Sequence, residues 1–235
     1  RERCVNQCRR VRFLYAGVFL YIVRPRPCQL VRMLSLHQFH LQLRRVQPDD
    51  LEEIRQGRNT DSVRKNHIYQ QLITPDMQND WFVRTLKPEN YYFVIVKRGK
   101  KIGLVHVSNI REDLSCADYG LFLWDAAYRG SRVPLLTTLL ILDFFFVQVQ
   151  VTMLTGKVLK SNAAIQRICR FFHFDLTGNP GDEFLTTSST LQNYLSHRQE
   201  FLSFARRCVH DDNECRLTIR GDASTPHLPA VSRLL

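Results

Sequence analysis

The 235-residue sequence predicts an α/β fold with a mixed central β-sheet flanked by helices. Three observations predict it. Runs rich in β-branched and aromatic residues alternate with segments of helical period, in the order β-α-α-α-β-β-β-α-β-α-β between residues 40 and 187. A strand-like run, 117–124, passes through a short basic loop into a long apolar segment that begins at Pro134, and Pro marks a helix's first turn. The 44% hydrophobic content supplies one sizeable core.

Three regions are expected. Residues 1–39 are a basic N-terminal extension, with 1–32 standing outside the natural product, because the chain starts at Arg and Met33 precedes the first well-patterned segment. Its apolar run, 13–23, is too short to span a membrane, which takes ~20 helical residues. It resembles a signal-peptide core, yet Arg24-Pro25-Arg26-Pro27 follows instead of a cleavage site. Residues 40–207 form the domain, and 208–235 a poorly ordered tail without periodicity.

The net charge of +11 is concentrated in residues 1–40, which hold eight Arg and one acid. The basic excess therefore gives no argument for nucleic-acid binding by the domain. Seven cysteines, an odd number without zinc spacing, indicate reduced thiols in a cytoplasmic protein and no metal site.

Within the domain, residues 40–46 (HLQLRRV) alternate and read as a strand. Pro48-Asp49-Asp50 opens a helix, with acids at its positive end, and Arg58-Asn59 close it. A second helical stretch is expected over 61–71. Thr74-Pro75 is an N-cap with Pro at the first helical position. That helix carries Trp81 and Phe82 and ends before Pro88. Residues 91–96 and 102–107 form a hairpin about Gly99. Then come a strand at 116–124, a helix at 134–148, strands at 151–155 and 183–187 around a helix at 162–172, and a polar helix at 191–206. The junction Tyr128-Arg129-Gly130-Ser131-Arg132-Val133-Pro134 brings backbone N–H groups and a helix N-terminus to one point, an arrangement that binds phosphates.

These pieces, in this order over residues 41–206, resemble the GCN5-related N-acetyltransferase (GNAT) family. The resemblance is carried by 41–52, by Ile102-Gly103, by Ala117-Asp118-Tyr119-Gly120 through Tyr128-Arg129-Gly130, and by Asn162-Ala163-Ala164-Ile165 to Phe174. Arg58-Asn59, Ile73-Thr74-Pro75-Asp76 and Trp81-Phe82 are similar to the branch that acylates amino-sugar nucleotides, as in pseudaminic-acid synthesis. Gly57 and Gln78 stand where that branch often has Trp and His. The family's phosphate loop has small residues where this chain has Arg132 and Pro134.

The resemblance implies a GNAT-like sheet with a V-shaped split between its fourth and fifth strands. It implies acetyl-CoA as donor and direct transfer to a primary amine in a ternary complex. The cofactor would be held by Leu123, Trp124, Arg129, Gly130, Ser131, Arg132, Val133 and Asn162. Arg58, Asn59 and His67 would face the acceptor. Asp118 stands where the family often places the carboxylate that takes the amine proton; a surface acid at a strand edge is an equal reading. Cys169 stands where many members have the Tyr that protonates the leaving thiolate; a buried structural Cys is preferred. Capping alone would explain Asn162, and His106 reads as structural.

Three functions follow: transfer to a small amine, above all a nucleotide-linked amino sugar; transfer to a protein N-terminus or side-chain amine; or a degenerate domain that binds acyl-CoA or a partner. A basic cleft around Arg58 and Arg64 would suit an anionic nucleotide, and an acidic cleft a protein amine.

Overall fold

The computed structural model describes residues 11–15, 18–22, 34–211 and 213–220. Expectations for 1–10, 23–33 and 221–235, including Cys4, Cys8 and Cys28, lie outside the described residues.

Most of the apolar run near the N-terminus is extended. Strands β1 (Val11–Tyr15) and β2 (Val18–Ile22) pair antiparallel in a sheet of their own. The main sheet begins with β3 (Ser35–Gln38) and β4 (Leu41–Arg45), joined by a tight turn in which Phe39 and His40 both have φ near +57° (59° and 55°). A 3-10 turn at Pro48–Asp50 leads into α1 (Leu51–Asn59), followed by the short α2 (Asp61–Arg64) and by α3 (Pro75–Thr85). Thr74 caps α3 as the sequence predicts, its hydroxyl accepting from the Met77 N–H at 3.2 Å.

The hairpin β5 (Tyr91–Lys97) and β6 (Lys100–Ser108) follows, then β7 (Ala117–Leu123). After β7 come the single turn α4 (Ala126–Arg129) and the apolar α5 (Val133–Leu142), continued by a π-helical turn to Gln148. The remaining elements are β8 (Met153–Leu159), α6 (Ala163–Phe171), β9 (Asp175–Thr177), β10 (Phe184–Thr190), α7 (Leu191–Val209) and β11 (Thr218–Arg220).

The nine strands stand in the order β11-β3-β4-β5-β6-β7-β8-β10-β9, antiparallel throughout except between β7 and β8. The sheet runs past both expected boundaries of the domain, since β3 and β11 form its edge. The helical expectation over 61–71 holds only for Asp61–Arg64. Beyond it, side chains replace the helical bonds. The Asn59 amide pairs with both the C=O and the N–H of Ile73 (2.9 and 2.8 Å), Arg58 donates to the Tyr69 C=O and Arg64 to the Gln70 C=O.

The sheet has two covered faces. Odd-numbered residues of β5 and β7 face the larger core with α5, α6 and α7, where Phe144, Phe145 and Phe146 are fully buried. Even-numbered residues face α1 and α3, against Ile54, Trp81 and Phe82.

Candidate active site

The ladder between β7 and β8 contains only Ala117↔Leu154 and Asp118↔Thr155. Beyond Asp118 the two parallel strands separate, which is the V-shaped split the resemblance implies. Antiparallel alternation fixes what faces it. The Trp124 N–H donates to the Ile102 C=O, so Gly103↔Leu123 is a non-hydrogen-bonded pair and the Leu123 N–H points away from β6, into the split. Asp125 N–H donates to the same Ile102 carbonyl, so the strand end bulges, two residues opposing one. Gly103 permits this approach, because a Cβ there would stand 2.4 Å from Leu123 Cδ2 and 2.6 Å from the Phe122 carbonyl oxygen.

The loop after the bulge is built from local bonds. Tyr128 C=O accepts from the Gly130 and Ser131 N–H groups, and the Ser131 hydroxyl accepts from the Val133 N–H. Pro134 offers no donor. Among the described residues the amides of Arg132 and Leu135 have no backbone partner, and they stand at the α5 N-terminus, where the helix dipole favours negative charge. Gly130, Ser131 and the Arg132 side chain are exposed around them. The loop thus presents two amides and the exposed Arg132 guanidinium together at the start of α5.

Arg129 turns inward. Its guanidinium donates to the Leu123 C=O (3.1 Å), the Trp124 C=O (2.7 Å) and the Ser62 hydroxyl (2.7 Å). It fixes the bulge and ties it to α2. Asn162 caps α6 through the Ile165 N–H (3.2 Å), and its amide also donates to the Asn66 C=O (3.3 Å). Segment 62–66 therefore straps across the mouth of the split, bonded to one arm at Arg129 and to the other at Asn162. Sequence reasoning missed Ser62 and Asn66, because nothing local to 62–66 signals a contact some 70 to 100 residues away.

The side chains that the resemblance assigns to the acceptor lie on the α1 face of β7. The His67 ring packs edge-on against Phe122 at 5.2 Å, and His106 stacks on Tyr92 at 4.8 Å. Gly120 makes room for His106, since a Cβ there would stand 2.4 Å from the imidazole Cε1. Burial, the Arg58 charge and His106 push the His67 pKa down to about 3. Burial lowers His106 to about 4, against the pull of Asp118. Both rings are neutral at pH 7. Trp124 fills the space over Gly57: its Cβ and Cγ lie 2.6 and 2.7 Å from where a Gly57 Cβ would be. An indole thus covers this point of α1 from the strand rather than from the helix.

Arg58 is 9% exposed. One terminal nitrogen donates to Tyr69 C=O at 2.7 Å, and the other has no partner among the described residues. Burial and the neighbouring Arg64 lower its pKa to about 10.

Asp118 lies on the same face of β7, farther toward the joined end of the V. Its carboxylate accepts from Asn109 Nδ2 (2.8 Å) and Thr155 Oγ1 (3.1 Å), clamping the joined end of the V. Leu123 is five residues farther on, about 17 Å at ~3.3 Å per residue. Cys169 is 7% exposed and packs in the larger core, where burial pushes its thiol up to about 11.

A family model for the acetyltransferase (GNAT) domain matches residues 40–175. The chain belongs to the GNAT family. No curated protein sequence matches it. Among solved structures, a nucleotide-linked sugar GNAT, FdhC, superposes with TM-score 0.61 at 20% identity, covering 73% of this chain and 98% of that one. A spermidine N-acetyltransferase from Vibrio cholerae, in complex with CoA and spermine, gives 0.57 at 16% identity over 66% and 98%. The ribosomal L7/L12 α-N-protein acetyltransferase RimL, in complex with CoA, gives 0.56 at 15% over 64% and 94%. At these identities the likeness speaks for the shared GNAT fold. This GNAT is an acyltransferase, and acetyl-CoA is its donor.

Proposed function

We propose that this GNAT acetylates the amine of an anionic small molecule, above all a nucleotide-linked amino sugar, by direct transfer in a ternary complex. The buried Arg58 charge carries this reading. Among the described residues no carboxylate pairs with it, and another guanidinium, Arg64, adds its own positive charge. A buried unpaired cation is costly, so an acceptor bringing negative charge to this face is favoured and a polyamine is not.

Bound acetyl-CoA would supply an activated thioester. In this reading the Arg132 and Leu135 amides and the Arg132 guanidinium hold its pyrophosphate, with Gly130, Ser131 and Val133 shaping the loop. The Leu123 N–H binds the carbonyl oxygen as charge develops there, a contribution worth about 10²–10³ in rate for one such donor. Amine nitrogen forms the new C–N bond as the C–S bond breaks. The proton leaves the nitrogen for solvent, since burial and the Arg58 charge disfavour an imidazolium at His67 and burial disfavours one at His106. The thiolate takes its proton from solvent, because Cys169 is sealed in the core.

The test is thiol release from acetyl-CoA with amino-sugar nucleotides, an unblocked peptide and spermidine at equal concentration. Fastest turnover is expected with the nucleotide sugars, falling as salt screens the charge. Preference for spermidine or the peptide would reject the acceptor assignment.

A further inference from the structure

A cavity of about 460 Å³ lies at the β11-β3-β4-β5 end of the sheet, and no step above uses it. One cross-strand row builds its floor. Thr218 on β11 opposes His37 on β3, His37 opposes Gln42 on β4, and Gln42 opposes Val96 on β5. Val96 belongs to the α1 face, so all four side chains stand on that face, beyond the edge of α1. The Asp50 carboxylate, bonded to Arg44 and Lys101, separates this floor from the acceptor side.

Three guanidiniums surround the row. Arg98 comes from the β5–β6 turn, Arg216 from the segment before β11, and Arg220 from β11 itself, two residues beyond Thr218 and on the same face. None of the three forms an ion pair among the described residues. Among the described residues a single carboxylate, Glu214, lines the cavity, and His40 already engages it through its N–H (3.0 Å) and its Nδ1 (3.3 Å). Burial and the Arg220 charge both lower the His37 pKa, with Glu214 opposing, which agrees with a positive local field.

We propose that this pocket binds a phosphorylated small molecule of nucleotide size, at a second site distinct from the split. The volume falls in the range of small-ligand sites, about 300–1,000 Å³. Guanidinium forks match phosphate oxygens two at a time, and three of them exceed what one carboxylate can satisfy. Gln42 and Thr218 on the floor can bond neutral groups of the same ligand. Two of the strands that build the site, β3 and β11, lie outside the matched acetyltransferase domain, so the site does not depend on the acceptor reading.

The test uses the full chain. AMP, with adenosine as the uncharged control, is titrated while the imidazole resonances of His37 and His40 are followed by NMR and heat is measured by calorimetry. AMP is expected to shift both histidines and adenosine neither. The Arg98→Gln/Arg220→Gln double variant, altered at two exposed positions, is expected to bind AMP at least about tenfold more weakly, with CoA affinity unchanged. AMP binding that leaves His37 and His40 unmoved would overturn the proposal. So would equal affinity in the double variant, or a short single-stranded RNA binding far more tightly than AMP.

Discussion

Arg129 shows how far a residue type can be read and where reading stops. Its place in the phosphate loop suggests a direct phosphate contact, yet all three of its nitrogens are bonded inward, to Leu123, Trp124 and Ser62. Arg129→Ala should therefore loosen the bulge and the strap together. We expect at least about tenfold weaker CoA binding by calorimetry, and no rescue by Arg129→Lys, whose single ammonium cannot span three acceptors. Unchanged affinity would mean that the loop holds its shape without this fork. Cys169→Ser, in contrast, should keep most of the activity, because the thiol is sealed in the core and its pKa is raised by burial. A fall of roughly a hundredfold, the scale of lost acid–base catalysis, would restore it as the leaving-group acid.

At the scale of elements, the site is the end of one strand. β7 leaves β8 after two paired residues, and the bulge at Ile102 turns the Leu123 amide into the opening. Gly103 is the residue that allows it. Gly103→Ala would drive a methyl into the Phe122 carbonyl, which is backbone and cannot rotate away. Loss of about 1–3 kcal/mol of stability is expected, as for overpacking, with kcat falling more than the stability loss explains. A melting curve and kcat both like the parent would show that the strand tolerates the methyl. The strands and helices around this point were legible in the sequence because their apolar periods are local. The fate of 68–73 was not, since its Tyr69, Gln70 and Ile73 carbonyls are satisfied by the side chains of Arg58, Arg64 and Asn59 rather than by a helical ladder.

At the scale of the molecule, Asp50 ties β4, α1 and β6 together. Its carboxylate is 1% exposed and bonds Arg44 twice at 2.7 Å, Lys101 at 2.8 Å and the Gln47 N–H at 2.8 Å. Burial by itself would raise its pKa, but Arg44, Lys101 and the Gln47 N–H prevail and hold it at about 2. Its folded pKa is thus depressed from an ordinary value near ~3.9, so the stability it contributes is present above about pH 4 and is lost as pH falls toward about 2. The amount is on the order of 2 kcal/mol. Asp50→Asn should lower stability at pH 7 and flatten the acid limb in denaturant titrations between about pH 4 and pH 2. An acid limb identical to the parent's would place the titrating group elsewhere.

The sequence alone determined the mixed sheet, the strand–loop–helix junction at 117–148 and membership of an acyltransferase family. Those rest on residue periodicity and on Pro, Gly and cap residues that act within a few positions of themselves. Only the tertiary structure decided what the side chains do there. It turned Arg129 inward, set Asp118 at the closed end of the V, strapped 62–66 across the split and added β3 and β11 to the sheet edge. Each of those outcomes depends on a partner distant in sequence, and hydrogen-bonding capacity does not name its partner until the fold brings the two together.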